Sequence, residues 1–355
     1  MIIFLLPYFS GGGAERVTLN LLIELHNRGH LVEIIVFNRG GPLLSMLPND
    51  ISIHSIDKRS LKHSIIPLVK KLRQLNPKVI FSTLGYINIA LLLVRWFLPR
   101  KTKIWIREAN LPSISLPNNS YSKLMTFLYK SLYRKADKLI CTSKRMKYEF
   151  ISDFLVPKSI IEILPNPVDV DKIRTSFLPV KRFDKGGVCY VASGRLTFQK
   201  GFDRLLFWFS KLENKNSTLV ILGDGSLKDE LIRESELLGL QDIVNFIGFC
   251  DNPWQWYAGA DVFLLPSRWE GMPNSALEAL ACGTLVIATE ESGGIAEITT
   301  RNQGEITITT GSRQFIQAMN KIKIKEKSAK FDSLLPEAYT QENVVSIFKE
   351  WLDKT

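Results

Sequence analysis

Short apolar runs recur along the whole chain, and most are followed by a stretch with helical spacing. "MIIFLLP", "HLVEIIVF", "KVIFSTL", "KIWIREA" and "KLICTS" are such runs in the first half; "VCYVASGRL", "STLVILGDG", "IVNFIGF", "DVFLLPS" and "TLVIATE" follow in the second. Near-continuous runs of this kind read as strands buried on both faces, the pattern of parallel sheets covered by helices. Their alternation with helices specifies a doubly wound α/β fold, met twice. Between the halves, "ILPNPVDVDKIRTSFLPVKRFDKGG" carries three prolines and ends in two glycines, as a linker would. A chain of 355 residues also exceeds one ordinary core. The expected division is a first Rossmann-like domain over 1–170, a second over 171–335, and a final segment, 336–355. That segment holds "TQENVVSIFKEWLDK", an amphipathic helix with Val344, Ile347, Phe348 and Trp351 on one face, expected to pack back toward the first domain.

Several classes drop out. Four scattered cysteines (Cys141, Cys189, Cys250, Cys282) form no CxxC pair, which argues against a zinc site or a disulfide framework and fits a reducing cytoplasm. The start of the chain lacks the basic n-region of a signal peptide. The apolar stretch Tyr86–Leu98 contains Arg95 and is too short for a bilayer, which needs ~20 residues. Charge is the informative part. The net charge is +11, and residues 1–170 hold 24 Lys and Arg against 11 Asp and Glu, so the basic excess belongs to the first half. Such asymmetry suggests an anionic partner surface.

Two sheets joined by one linker form a cleft, and ligands of open α/β sheets sit beyond the carboxyl ends of strands. The notable loops fall there: 10–15, 107–112, 194–201, 223–225 and 267–275. In "SGRLTFQKGFDRL", Arg195 and Lys200 follow Gly194 at a strand end, where two cations can hold a diphosphate or stand solvated. Gly223 and Gly225 in "LGDGS" allow close backbone approach. "GGGAERV" sets Gly12 and Gly13 at a strand-to-helix junction without matching a dinucleotide or Walker A motif. Such a helix start is open to an anion or a sugar. In "PSRWEGMPNSALEALACG", Glu270 and Glu278 flank a helix start, with Pro273 in the first turn, Asn274 and Ser275 as N-cap types and Gly283 as the stop. The two glutamates either complement the helix dipole or serve a site.

Taken together, "GGGAERV", "GRLTFQKGFDRLL", "LGDG", "ADVFLLPSRWEGMPNSALEALACGTLVIAT" and "GGIAEI" resemble the retaining glycosyltransferases of family GT4. The likeness spans nearly the whole chain and is densest in the second half; the Glu-x7-Glu unit is its most specific element. It implies the GT-B fold, α/β with two Rossmann-like doubly wound domains facing each other across a cleft. It also implies transfer of a sugar from a nucleotide-sugar, by default a UDP-sugar, with retention and without a metal or other cofactor. Glu270 would then lie near the donor sugar hydroxyls and Glu278 would hold the ribose. Gly271, Met272, Pro273, Asn274, Ser275 and Ala276 would meet the diphosphate and sugar, and Arg195 and Lys200 would stabilise the departing diphosphate. The leaving phosphate would help take the acceptor proton. Glu297 of "GGIAEI" reads as structural or as part of the nucleotide pocket.

One departure stands out. Many relatives carry a histidine on the loop after a central strand of the first domain, where this chain reads "WIREANLPS". Glu108 and Asn110 are the polar residues there, and Arg107 could serve phosphate. Glu108 is expected to contact sugar or to act as base for the acceptor hydroxyl; a structural strand-end carboxylate is the other reading. His26 and His30 flank a turn and read as strand-edge residues.

The basic excess lies in the half that would bind the acceptor. Lys58, Arg59, Lys62, Lys70, Lys71 and Arg73 surround one apolar helix, and Lys123, Lys130, Arg134 and Lys135 interleave with Leu124, Phe127 and Leu128 on another. This suits an anionic membrane face. The expected protein is cytoplasmic and peripheral on the inner face of the membrane. Its acceptor would be a lipid-linked saccharide of surface polysaccharide, O-antigen or capsule assembly. No nucleic-acid motif accompanies the charge. The rival readings are a non-catalytic sugar-nucleotide-binding partner subunit and another enzyme of the same fold, such as a sugar-nucleotide epimerase or a phosphorylase.

Overall fold

The computed structural model describes residues 1–57, 61–117, 121–176, 186–298, 304–324 and 332–355. The chain forms two compact units: Met1–Pro167 together with Glu342–Thr355, and Val168–Gln341. The division therefore falls at 167/168, three residues before the expected 170/171, and the returning segment begins at 342 rather than 336.

The first unit is built on a seven-stranded sheet in the order β3-β2-β1-β4-β5-β6-β7. Its strands are β1 (Ile2–Leu6), β2 (Val32–Val36), β3 (Ile53–Ser55), β4 (Val79–Thr83), β5 (Lys103–Arg107), β6 (Lys138–Cys141) and β7 (Ile161–Ile163). All neighbours pair in parallel. The period of two sends alternate side chains to opposite faces. Ile3 and Leu5 enter a core under the helices Leu61–Leu75, Gly85–Leu93, Ser122–Leu132 and Lys144–Ser152. Ile2, Phe4 and Leu6 enter a second core under the helices Gly13–Asn27 and Gln341–Asp353. Both faces are thus covered, which is why the inner strands carry hardly a polar residue.

The basic apolar helix is Leu61–Leu75 and holds Pro67 inside it. The apolar stretch after Leu84 is the helix Gly85–Leu93 with a 3-10 turn at Arg95–Phe97. Among the described residues no helix is long and apolar enough to cross a membrane.

The second unit repeats the plan with six parallel strands in the order β10-β9-β8-β11-β12-β13. These are β8 (Cys189–Ser193), β9 (Thr218–Leu222), β10 (Val244–Gly248), β11 (Val262–Leu265), β12 (Leu285–Thr289) and β13 (Ile306–Thr309). The segment read as a linker contains the helix Val170–Thr175, capped by Asp169, whose carboxylate accepts from the Lys172 N–H at 2.9 Å; residues 177–185 lie outside the described residues. All four cysteines are free thiols.

The helix Gln341–Asp353 closes the core of the first unit. Phe348 is fully buried, with its ring 5.5 Å from that of Phe81 and 5.2 Å from that of Trp105, both edge-on. Trp351 stands 6.3 Å from Trp105, and Lys138 Nζ lies 4.6 Å over the Trp351 ring. Removing a buried aromatic ring costs about 3–5 kcal/mol. Phe348→Ala is therefore expected to destabilise the first unit by that amount, read as an earlier urea midpoint, while Phe348→Leu costs less.

Candidate functional site

In each unit the strand order reverses beside the first strand, between β1 and β4 and between β8 and β11. Loops leaving the two strands that flank such a reversal diverge and leave a crevice. In the second unit these loops are 194–201, after β8, and 266–273, after β11. They bring Lys200 and Glu270 together: Lys200 Nζ donates to Glu270 Oε1 at 2.5 Å, and Ser267 Oγ donates to the same oxygen at 2.7 Å. Glu270 is buried and Lys200 half-buried. Arg195 is exposed, and its side chain makes no hydrogen bond or ion pair with the described residues.

The glycines let these loops meet. A Cβ on Gly223 would stand 1.9 Å from the Gly194 carbonyl oxygen, and one on Gly225 would stand 2.4 Å from that of Leu196. The stem of Lys200 crosses Gly194, whose added Cβ would be 3.1 Å from it. Loop 266–273 is nailed down by its carbonyls. Arg204 donates to those of Pro266 and Ser267, each at 2.7 Å, Thr289 Oγ1 to Ser267 at 2.8 Å, and Gln199 Nε2 to Trp269 at 3.0 Å. Gly293, at φ +67, sits where a Cβ would be 2.1 Å from the Glu270 carbonyl oxygen. Ser267, Arg204, Gln199 and Gly293 escape a reading of the sequence alone. The one signal for Gly293 is its place in "GGIAEI", where Glu297 is the more conspicuous residue.

The helix beyond is Asn274–Ala281, one residue earlier than the cap types suggested: Pro273 is the N-cap, and no side chain caps it. Gly271, Met272, Pro273 and Ala276 are buried, and Asn274 and Ser275 are partly exposed. The helix ends as expected. Gly283, at φ +75, follows the C-cap, and the N–H groups of Gly283 and Thr284 return to the carbonyls of Leu280 and Ala279. Glu278 is partly exposed, and its Oε2 accepts from Trp254 Nε1 at 3.1 Å. An Asp-x-Asp spacing does occur in the chain, at Asp169 and Asp171, but Asp169 is spent as a helix cap. Among the described residues no three His, Cys, Asp or Glu side chains are grouped to hold a metal ion.

In the first unit Gly12 is the N-cap of the helix Gly13–Asn27, again without a side-chain cap, and Glu15 in its first turn accepts from Ser10 Oγ at 2.5 Å. Two strands away, Glu108 follows β5 and is only 5% exposed. Its Oε1 accepts from Asn88 Nδ2 at 2.8 Å, from Tyr129 Oη at 3.4 Å and from Tyr133 Oη. Burial pushes its carboxyl up to about 7, against the pull of those donors and of the Arg107 charge. Arg107 is buried as well; desolvation brings it down to about 10, and its Nη2 donates to Asn166 Oδ1 at 2.5 Å. It is enclosed in the sheet end, not open for a phosphate. Asn110 is partly exposed. Lys70, Lys123, Lys130, Arg134 and Lys135 are exposed, whereas Lys58 and Arg59, and the side chain of Lys62, lie outside the described residues. His26 Nε2 stands 2.8 Å from the Asp50 carboxylate, which accepts from it, so His26 is a turn residue with a partner of its own.

Residues 174–332 match the family described as glycosyl transferases group 1, and residues 11–172 match glycosyltransferase family 4. A Campylobacter jejuni protein named N-acetylgalactosamine-N,N'-diacetylbacillosaminyl-diphospho-undecaprenol 4-alpha-N-acetylgalactosaminyltransferase is 32% identical over 81% of this chain and 80% of its own length. The amylovoran biosynthesis glycosyltransferase AmsD of Erwinia amylovora is 24% identical over 90% of this chain and 89% of its own. Among solved structures, HepE of Anabaena in complex with UDP superposes with a TM-score of 0.77 at 18% identity, covering 100% of both chains. The apo form of the lipopolysaccharide outer core galactosyltransferase WaaB gives 0.74 at 19%, over 100% of this chain and 99% of that one. The two parallel-sheet units are therefore those of the GT-B fold.

The burial of Glu108 has a measurable consequence. Its folded-state proton affinity is raised from 4.5 to about 7, so the folded protein holds the proton more tightly than the unfolded chain does. That stability is fully present below pH 4.5 and is lost as pH rises through about 7. Glu108→Gln keeps an oxygen for the three donors and removes the ionisation. The variant should gain stability relative to wild type as pH goes from 5 to 8, by on the order of a few kcal/mol, in paired urea titrations. An unchanged gap would mean that Glu108 titrates as an ordinary surface carboxylate.

Proposed function

The chain belongs to the glycosyltransferases of group 1 and family 4, and from that premise we propose that it transfers a sugar from a UDP-sugar to a lipid-linked saccharide, with retention and without a metal. What carries this reading is the grouping in the second unit. The ion-paired Lys200 and Glu270 and Arg195, unpaired among the described residues, stand on the loops that flank the strand reversal, just before a helix start that no side chain caps. The two cations meet the diphosphate as the sugar–phosphate bond breaks, where negative charge develops and fixed positive groups lower the barrier. Gly271, Met272, Pro273, Asn274, Ser275 and Ala276 line its path at the positive end of the helix dipole. Gly194, Gly223 and Gly225 let backbone approach the nucleotide, and Glu278 holds the ribose hydroxyls. Glu270 orients the sugar. One of its oxygens already takes a lysine and a serine, and a carboxylate tied to a cation is a weak nucleophile. That favours hydroxyl contact over covalent attack, in keeping with retention through same-face attack.

The acceptor side belongs to the first unit, with Gly12 and Gly13 at a helix start and Glu108 as the group that serves the incoming hydroxyl. The Campylobacter jejuni relative is named for a diphospho-undecaprenol substrate, and we assign this chain an acceptor of that class, used on the inner face of the cytoplasmic membrane. The surface of the first unit supports the placement. The helix layer over one face of its sheet exposes Ile66, Leu93, Trp96, Phe97, Leu124 and Phe127 among Lys70, Lys123, Lys130, Arg134 and Lys135. The helices Gly13–Asn27 and Gln341–Asp353 on the other face expose no large hydrophobic side chain. Apolar residues set among cations suit the boundary of an anionic bilayer.

Two measurements test this. UDP, or a UDP-sugar, should raise the melting temperature by mass action. Glu270→Ala should then lower turnover by roughly a hundredfold while leaving the UDP shift nearly intact, as expected for a group that acts on the sugar; equal losses in both would reassign Glu270. For the membrane, vesicles containing phosphatidylglycerol should sediment the protein. Replacing Trp96 and Phe97 by Ser, or Lys123 and Lys130 by Ala, should release it. Binding that ignores both changes would discard this face.

A further inference from the structure

The two loops that carry Lys200 and Glu270 are joined by more than the Arg204 and Gln199 bonds to carbonyls. Arg268, two residues before Glu270, sets its guanidinium over the Phe198 ring, 3.8 Å from the centroid. Its Nη1 and Nη2 donate to the two carboxylate oxygens of Asp203, at 2.8 and 2.5 Å, and Nη1 donates again to the Phe198 carbonyl at 2.8 Å. The Arg268 N–H reaches the Gln199 carbonyl at 2.8 Å. The rings of Phe198 and Trp269 stand 6.2 Å apart along the same seam. Gly201, at φ +67, brings the backbones together there: a Cβ on it would be 2.2 Å from the Pro266 carbonyl oxygen. Asp203 lies in the first turn of the helix Phe202–Ser210, so the clasp is rooted in a regular element.

Loop 194–201 is thereby fastened at two places, to two different partners. Its Arg195 end is tied to the segment after β9: the Leu196 N–H donates to the Asp224 carbonyl at 2.9 Å, and the Leu227 N–H to the Leu196 carbonyl at 3.0 Å. Its Lys200 end is tied to loop 266–273 by Arg268. The clasp joins Gln199 to Arg268 and Trp269, and Lys200 and Glu270 are the next residues along the two loops. An ion pair near the surface adds little unless its geometry is fixed and bidentate, and this one is both. Burial opposes the Asp203 carboxylate, yet the Arg268 hydrogen bonds and charge hold its carboxyl below the usual range. The hydrogen bond to Asp203 in turn raises the Arg268 guanidinium above its ordinary value. The Arg204 bonds alone would keep loop 266–273 on the sheet end. The fork and the stacked ring add a fixed distance and direction to the neighbouring loop.

We infer that Arg268 and Asp203 are positioning residues whose clasp sets the separation of Lys200 and Glu270, and that it acts on turnover through those two side chains and not through Arg195. The effect on turnover rests on the proposed transferase reading. Lys200 is a flexible side chain, and its aim depends on where its backbone and stem are held. The stem already runs against Gly194, and the clasp fixes the backbone next to it. Lys200 answers the charge that develops on the departing diphosphate, and Glu270 orients the sugar that it leaves. A change in their separation is therefore felt where the bond breaks more than where the nucleotide binds. A displacement of ~1 Å can cost about a hundredfold in rate. Arg268 itself touches neither partner of the reaction: its two terminal nitrogens are spent on Asp203 and on the Phe198 carbonyl.

The test is Arg268→Ala, made alone and in three further backgrounds, with UDP release from UDP-glucose and UDP-N-acetylgalactosamine as the rate. Alone it should lower kcat by roughly ten- to a hundredfold and change KM by no more than about twofold. Arg268→Lys, which keeps the charge and loses the fork, should recover little of this. With Asp203→Asn the two losses should not multiply, because both break one clasp. With Lys200→Ala the further loss should vanish, whereas with Arg195→Ala it should appear in full. Equal losses in the Lys200→Ala and Arg195→Ala backgrounds, or a lower melting temperature with kcat unmoved, would reduce the clasp to a packing device and overturn the inference. A second readout needs no turnover. The carbon-13 resonance of Lys200 Cε, assigned through Lys200→Arg, should shift on Glu270→Gln in the otherwise wild-type protein and hardly respond in Arg268→Ala. A response of the same size in both would show that the ion pair forms without the clasp, and the inference would fall. If wild type released UDP from neither donor while the resonance behaved as expected, the clasp would stand and the transferase reading would be what failed.

Discussion

A parallel sheet covered on both faces has nowhere to keep polar side chains except at the ends of its strands. Every strand in each unit points the same way, so these ends collect at one edge, and the order reversal beside β1 and beside β8 opens a gap there. The apolar interior that stabilises the molecule and the polar edge that could perform chemistry are thus two results of one arrangement. The loops at the edge can be exact because the strands beneath them are not free to move. The carbonyls of Pro266, Ser267 and Trp269 are held by donors from Arg204, Gln199 and Thr289, all rooted in neighbouring elements.

Two buried glutamates at strand ends illustrate how environment selects role. Glu270 sits against a lysine, whose Nζ donates to it at 2.5 Å. Glu108 meets only neutral donors on its side chain, and burial dominates. The same functional group is thereby ion-paired in one unit and, in the other, held by neutral donors as a group that changes charge near neutrality. The difference comes from what stands at the facing position: Lys200 in one case, a tyrosine pair stacked on Phe150 in the other.

The inner strands were readable because each is a nearly unbroken apolar run. The edge strands β3, β7 and β13 were not: Ile53–Ser55, Ile161–Ile163 and Ile306–Thr309 are three or four residues long and mix polar with apolar positions, which short windows cannot separate from loop. The helix Val170–Thr175 hid behind the prolines that precede it, although Asp169 offered a cap signal. At the candidate site, the motif residues with unusual spacing could be found: Lys200, Glu270, Glu278 and the glycines. Their supports could not. Ser267 and Gly293 look like ordinary loop residues until the fold brings them to Glu270. The donor set on Glu108 was harder still, since its members come from residues 88 to 133. The one trace was Asn88, a lone amide inside the apolar run "YINIALLLV".

The helix Gln341–Asp353 stands, in chain order, after the entire second unit, yet it supplies Val344, Val345, Phe348 and Leu352 to the core of the first. In a growing polypeptide the first sheet is therefore synthesised without one of its covers. At ~5–20 residues per second, residues 168–353 take on the order of ten to forty seconds to emerge. Throughout that interval the rings of Phe81 and Trp105 have no Phe348 to pack against. The second unit, contiguous in sequence, completes its own core in the meantime. Order of synthesis and order of completion are thus reversed: the unit whose sheet is made before the other is the one completed after it.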